Sequence, residues 1–177
     1  MMELIDTHCH LDVADFDADR GEVLARTRAS GVRRLVIPAV DAAHWGTLLA
    51  LCRREPGLYP ALGLHPVYLE QHCREDVDAL EGAVAQHRPV AVGEIGLDFF
   101  VAGLDRERQQ RLFEAQLGVA RNADLPVLLQ STDRRHGEAC DAVGARFLHK
   151  RAPNLLDDLR LPQQFQGDSM LTVLRVT

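Results

Sequence analysis

Two histidines near the start of the sequence are separated by one residue. His8 and His10 lie in IDTHCHLD, with Cys9 between them and an aspartate on either side. If the stretch from Leu4 to His10 is a strand, alternate side chains point to the same face, and both imidazoles converge on one point. Neutral imidazole is a common ligand of divalent transition metals, and nearby carboxylates can ligate or orient it. The spacing indicates a metal site, with two surface or hydrogen-bonded histidines as the alternative.

Polar side chains also follow three later apolar segments. His65 is the next-to-last residue of YPALGLHP, Glu94 lies in PVAVGEIGLD, and Gln130 ends LPVLLQ. The carboxyl ends of parallel strands meet at the edge of a sheet where ligands bind, so these side chains are expected near the two histidines. A glutamate on a buried strand is costly to ionise without a partner, and a cation resolves that cost. Glu94 is therefore a candidate ligand, with an N-cap or a salt bridge as its alternative.

The remaining candidates have weaker signals. His65 precedes a proline in a plausible turn, so contact with substrate or with a metal ligand is expected rather than direct ligation. Asp98 either hydrogen-bonds near the site or is a solvated loop carboxylate. The other histidines of helical or polar segments are predicted to lie at the surface: His44, His72, His87 and His136.

The elements that must position these residues follow a β-α rhythm. Strands are predicted in the segments that begin at Leu4, Arg34, Tyr59, Pro89 and Leu125, and helices in the segments before Gly31, Gly57 and NADLP. Strand starts recur about every 25 to 35 residues, the length of a βαβ unit, which predicts an α/β fold with a parallel sheet. Five units are fewer than the eight of a closed barrel, so the barrel is incomplete or the sheet is open.

After residue 129 the rhythm fades. We expect a barrel portion over residues 1–129 and a divergent segment over 130–177, with short helices near 138–145 and 155–159 and a strand at 171–176. Four widely spaced cysteines without a C-x-x-C motif indicate reduced thiols. No leader or membrane-spanning run is apparent, so a cytoplasmic protein is expected. The net charge of −6 argues against binding nucleic acid through a broad basic surface.

Five motifs together resemble the TatD family of metal-dependent hydrolases and deoxyribonucleases. IDTHCHLD, GLHP, GEIGLD, RERQQRLFEAQLGVA and LPVLL occur in the family's order and at about its spacing, over residues 3 to about 129. The resemblance implies a TIM-barrel-like fold and a divalent-metal site for Mg, Mn or Zn. It also implies that His8, His10 and Glu94 are metal ligands. Glu94 then corresponds to the family's bridging glutamate and acts in catalysis with metal-bound water.

The C-terminal end departs from the family pattern. Gln130 stands where the family has a histidine, and an amide oxygen is a weaker ligand for a transition metal. His149 in FLHKRA is of the right residue type for the next ligand, but its neighbours differ, and no T-D-x-P motif occurs. The expected function is a phosphodiesterase or deoxyribonuclease with impaired activity, acting on DNA or a small phosphodiester. The alternatives are a one-metal hydrolase of a small substrate and an inactive remnant that binds metal or self-associates.

Overall fold

The strands of the structure form one sheet whose order follows the chain. The computed structural model describes residues 4–130 and 172–175. The strands are β1 (Leu4–Asp6), β2 (Val32–Pro38), β3 (Leu58–Leu62), β4 (Ala91–Gly96), β5 (Pro126–Gln130) and β6 (Thr172–Arg175), and the α-helices are α1 (Arg20–Ala29), α2 (Trp45–Arg54), α3 (Glu75–His87) and α4 (Arg106–Asn122). Neighbours from β1 to β5 pair in parallel, and β6 pairs antiparallel with β5.

Apolar residues of the strands divide between the two faces of the sheet. Leu35 and Ile37 of β2 pack in the large core cluster, which also contains Leu24 of α1 and Phe113 of α4. Val36, between them, belongs to a smaller cluster on the opposite face. All six residues of β4 are buried, as expected for a parallel strand that is covered on both faces. Five parallel strands with helices packed on one face form a curled half-barrel.

The predicted strands and the helices predicted within residues 4–130 are confirmed, and the helices predicted near 138–145 and 155–159 lie outside the described residues. Each of the five segments contains a strand, the predicted strand near the C-terminus is β6, and α1, α2 and α4 lie where the helical spacing placed them. The helix α3 was not predicted, although it buries Leu80 and Val84 whereas the predicted α1 buries only Leu24. Gly31 follows α1 with φ of 98°, the backbone conformation typical of the residue after a helix C-cap. No helix within residues 4–130 is long and apolar enough to span a bilayer.

The ends of β3 and β4 approach each other through two glycines. A Cβ atom added to Gly63 would lie 2.7 Å from the carbonyl carbon of Gly93 and 2.9 Å from its Cα. We expect Gly63→Ala to lower the free energy of unfolding by about 1–3 kcal/mol, because the backbone must shift to admit the methyl group. Urea denaturation measures this change. Gly82→Ala on α3, where no atom lies within 4 Å of an added Cβ, is the control. It should raise stability by about 0.5–1 kcal/mol, and equal midpoints for the two variants would contradict the close contact.

Candidate metal centre

The two N-terminal histidines lie in the loop that follows β1. The strand ends at Asp6, whose carboxylate accepts a hydrogen bond of 3.0 Å from the backbone N–H of His8. This side-chain contact ends the strand early, so the predicted extension to His10 is wrong. The backbone N–H of Cys9 still bonds to the carbonyl of Val36, which keeps the loop beside β2. The two imidazoles converge, with 3.0 Å between their Nε2 atoms.

A bulge in β4 aims Glu94 at these rings. Val92 and Ile95 both pack in the large core cluster although they are three positions apart, and the pairing of β4 with β5 shifts register between them. An extra residue in a strand re-aims the side chains beside it. The Gly93–Glu94 peptide bond in this bulge is cis. The backbone N–H of Glu94 bonds to the carbonyl of Ala39, just beyond β2, at 3.1 Å.

Glu94 completes a cluster of three ligand atoms. Its Oε2 lies 3.3 Å from Nε2 of His8 and 3.6 Å from Nε2 of His10. The residue is only 1% exposed, and neither carboxylate oxygen has a hydrogen-bond partner among the described residues. A buried carboxylate without hydrogen bonds is costly unless something else compensates its charge.

The geometry of the cluster fits a divalent cation. Histidine nitrogens and carboxylate oxygens lie about 2.0–2.2 Å from a bound zinc ion, which places neighbouring ligand atoms about 3–3.5 Å apart. The separations between His8, His10 and Glu94 fall close to this range. Among the described residues, no other group of three histidine, cysteine or acidic side chains brings its ligand atoms this close together. Two of its three members are half-buried at the strand ends, so an ion can reach it from solvent.

Glu94 and the imidazoles beside it shift each other's pKa values. Burial alone raises the pKa of Glu94, but the imidazoles of His10 and His8 outweigh burial and lower the pKa to about 2. The same carboxylate raises the pKa of His10 above its ordinary value, although burial works against it. Glu94 is therefore anionic at neutral pH.

His65 lies beside the cluster and faces it with a ring nitrogen. It is 8% exposed, and its Nε2 is 3.8 Å from Oε2 of Glu94. Its Nδ1 accepts a hydrogen bond from the backbone N–H of Val67, so the proton of the neutral ring is on Nε2. Burial lowers the pKa of His65 and favours this neutral form. His65 thus offers the site an N–H donor rather than a lone pair.

Asp98 closes the loop that follows β4. It is 2% exposed, and its carboxylate accepts hydrogen bonds from the backbone N–H groups of Phe100 and Val101 at 2.9 and 3.1 Å. The alternative of a solvated loop carboxylate is therefore wrong. Its burial comes from these loop contacts, which the sequence pattern alone does not indicate. Asp98 determines the shape of the loop rather than supplying an atom to the three-ligand cluster.

Two buried glutamines of α4 were not predicted as site residues. Gln116 accepts a hydrogen bond of 2.8 Å from the N–H of Leu64 and donates one of 3.1 Å to its carbonyl. Gln109 accepts from the N–H of Asp98 and donates to its carbonyl, both at 2.9 Å. Their spacing in the sequence is the signal that could have identified them, because residues seven apart lie on the same face of a helix. This face of α4 also carries the fully buried Phe113.

The remaining predicted residues lie outside the cluster. His72 is 4% exposed and its Nε2 donates to the carbonyl of His65, so its predicted surface position is wrong. It is the residue that follows the 3₁₀ segment Pro66–Gln71, and its hydrogen bond to His65 holds it inside. His44 is exposed and His87 half-buried, and Gln130 is the last residue of β5. His149 and His136 lie outside the described residues.

Comparison with known proteins identifies the relatives of this chain. Residues 5–149 match the family described as TatD related DNase. The chain is 45% identical over 130 residues to the uncharacterized metal-dependent hydrolase YjjV of Escherichia coli (strain K12), an alignment that covers 72% of this chain and 50% of YjjV. It is 31% identical over 130 residues to the 3'-5' ssDNA/RNA exonuclease TatD of Salmonella typhimurium, which covers 73% of this chain and 50% of that protein.

The fold agrees with the sequence comparison. The crystal structure of YJJV from E. coli K12 superposes with a TM-score of 0.76 at 35% identity, covering 89% of this chain and 65% of that one. The predicted TIM-barrel-like fold and the predicted family are both confirmed. The chain spans about half the length of these two curated relatives, and it belongs to the TatD related DNase family.

Proposed function

We propose that this chain is a divalent-metal-dependent hydrolase of phosphodiester bonds, of the deoxyribonuclease type. The observation that carries the proposal is the convergence of His8 and His10 on the buried carboxylate of Glu94, whose oxygens have no hydrogen-bond partner among the described residues. The names of two relatives, a metal-dependent hydrolase and a single-strand exonuclease, support the same reaction class. DNA as substrate, self-association and a cytoplasmic location stay predictions.

The roles follow from the positions of the residues. His8, His10 and Glu94 would hold the ion. When bound, a divalent cation supplies a Lewis acid for a phosphoryl oxygen and lowers the pKa of water. The carboxylate of Glu94 lies 3.3 Å and 3.6 Å from the two imidazoles, a position suited to holding positive charge.

The ligand set also bears on the identity and number of ions. Two imidazole nitrogens favour Zn²⁺ or Mn²⁺ over Mg²⁺, which prefers an all-oxygen set. The described residues provide one three-ligand cluster, and an amide at position 130 would add at most a neutral oxygen. This supports one tightly held ion and slow hydrolysis. A one-metal hydrolase of a small substrate is the second candidate, and the same cluster supports it.

The test of this proposal is hydrolysis by the purified chain with Mn²⁺, Zn²⁺ or Mg²⁺. A labelled single-stranded DNA and a chromogenic phosphodiester serve as substrates. Turnover that depends on added metal and stops on chelation supports the proposal. Turnover of the small diester alone favours the second candidate. No turnover of either substrate with any of the three ions would leave the inactive remnant as the better description.

His65 should affect turnover without affecting metal binding. Its Nε2–H points toward the cluster and can donate to a phosphoryl oxygen as charge develops there. We expect His65→Leu, which has no side-chain N–H, to keep the wild-type metal content and to lower kcat by about 100-fold, the usual effect of removing one such donor. His87→Leu, at the end of α3, is the control and should leave kcat unchanged. Loss of metal in the His65 variant would instead make this histidine a ligand.

A further inference from the structure

His72 is a buried histidine that lies outside the three-ligand cluster but bonds to the residue beside it. It is 4% exposed, and its Nε2 donates a hydrogen bond of 2.9 Å to the backbone carbonyl of His65. A carbonyl oxygen can only accept, so the neutral His72 ring carries its proton on Nε2. Its Nδ1 is buried and has no hydrogen-bond partner among the described residues. An apolar side chain would avoid this unpaired atom, so packing alone does not account for a histidine here.

The backbone of His72 is anchored to α4. Its carbonyl accepts a hydrogen bond of 2.6 Å from Nη2 of Arg108, and its N–H bonds to the carbonyl of Leu69 at 3.2 Å. The next residue of α4, Gln109, reaches the carbonyl of Pro66 at 3.4 Å. The bond from the His72 ring to His65 therefore joins the two ends of the segment 65–72 on a fixed support.

Both peptide groups of His65 are held by hydrogen bonds. Its N–H donates to the carbonyl of Val40 at 2.9 Å. Its carbonyl accepts from the His72 ring and, at 3.1 Å, from the N–H of Tyr68. The first bond holds the peptide group before the Cα atom and the other two hold the group after it. Because φ and ψ are the soft torsions of a residue, these bonds together set the direction of the His65 side chain.

The ring of His65 depends on this backbone, because Glu94 does not hold it. Its Nε2 lies 3.8 Å from Oε2 of Glu94, which is beyond hydrogen-bond distance. The ring accepts a bond from the N–H of Val67 and contacts the ring of Tyr68 edge to face, and both partners belong to the 3₁₀ segment Pro66–Gln71. A shift of this segment would therefore move the His65 ring together with its partners. Misplacement of a reacting group by about 1 Å can cost about 100-fold in rate.

We propose that His72 is a positioning residue of the candidate site, whose Nε2–H holds the carbonyl of His65 so that the His65 ring faces the cluster. This inference rests on the proposed function and on the role that His65 has there. His72 itself touches neither the cluster ligands nor the substrate. It acts through the direction of the His65 side chain.

Substitutions that keep or remove the donor of His72 test the proposal. The amide nitrogen of glutamine is as many bonds from Cα as Nε2 of histidine is, whereas that of asparagine is one bond nearer. We expect His72→Leu and His72→Asn to lower kcat for a chromogenic phosphodiester about 10-fold, with KM and metal content unchanged. His72→Gln should restore most of the rate. His87→Leu is the control and should match the wild type.

A merely structural role of His72 predicts different results. Leucine removes the unpaired Nδ1, and the carbonyl of His65 keeps its bond from Tyr68, so His72→Leu should not lower the midpoint of urea unfolding. In a chain that already carries His65→Leu, the added His72→Leu should lower kcat no further, because the two residues act through one donor. A lowered midpoint in His72→Leu, or a further fall in kcat in the double variant, overturns the proposal.

Nitrogen NMR of the imidazole rings separates this proposal from the proposed function, because it needs no turnover. Without added metal, both His65 and His72 should show rings protonated at Nε2. The His65 signals should be unchanged in His72→Gln and should shift or broaden in His72→Leu, as the ring loses its single orientation. Unchanged His65 signals in His72→Leu overturn the proposal, as do changed signals with an unchanged kcat. Changed signals in a chain whose wild type hydrolyses no substrate contradict only the proposed function.

Discussion

Glu94→Gln and His8→Ala should each lower the affinity for Zn²⁺ or Mn²⁺ by at least about 100-fold. Loss of a group that merely orients a ligand already costs 10- to 100-fold, and these substitutions remove a ligand itself. The wild-type chain should hold about one ion, because the cluster supplies a single set of three donors. Elemental analysis of purified protein and calorimetric titration measure the stoichiometry and the affinity.

Thermal unfolding provides a second measurement of the same ion. An ion that binds only the folded state at about 100 times its Kd adds about 2.7 kcal/mol of stability, and this gain should disappear in both variants. Gln130→Ala is the matched control at a neighbouring strand end and should keep the ion and the gain. Two equivalents bound to the wild type would show further ligands outside the described residues. Zero equivalents would show that the cluster holds no ion.

Gln116→Met should destabilise the fold more than Gly63→Ala does. Gln116 is 1% exposed and satisfies both backbone groups of the fully buried Leu64. Methionine has a similar size but cannot do so, and each buried group left unpaired costs about 1–3 kcal/mol. We therefore expect the free energy of unfolding to fall by about 2–5 kcal/mol in urea denaturation.

The control for this prediction lies on the same helix. Gln110 is exposed and bonds only to Glu114 one turn later, at 3.0 Å, so Gln110→Met should change stability by less than about 0.5 kcal/mol. The same substitution in the same helix then compares a buried amide that bonds to backbone groups with an exposed amide that bonds to a side chain. Similar values for Gln110→Met and Gln116→Met would contradict the assignment of Gln116 as a support of the β3 end.

The sequence predicts most of the architecture because apolar periodicity depends on local spacing. The five strand segments carry apolar runs, and α2 and α4 each bury four apolar residues. The stripe is weaker in α1, which buries Leu24, and in α3, which buries Leu80 and Val84, and α3 was not predicted. The antiparallel direction of β6 has no local signal either, since it depends on which edge of the sheet the strand meets.

The ligands of the candidate site can be predicted from the sequence, but the residues that position them cannot. The three residues that converge share a clear signal, a polar group at the end of an apolar run. His72, Asp98 and Gln109 are buried and form hydrogen bonds with backbone groups. The spacing of apolar residues in the sequence does not reveal such bonds. The bulge that turns Glu94 toward the histidines is likewise a property of strand pairing rather than of sequence pattern. Sequence thus identifies candidate ligands more readily than the residues that position them.

The antiparallel pairing of β6 affects how the half-barrel can be extended. Its residues Thr172–Arg175 occupy the hydrogen-bonding edge of β5 over Pro126–Leu129. A strand has only two such edges, and the other edge of β5 is taken by β4. A further parallel strand, from this chain or from a separately supplied fragment of a longer relative, would have to displace β6 before it could pair. Reconstituting a full ring from two pieces is therefore a strand-exchange reaction, whose rate would be governed by the release of four residues.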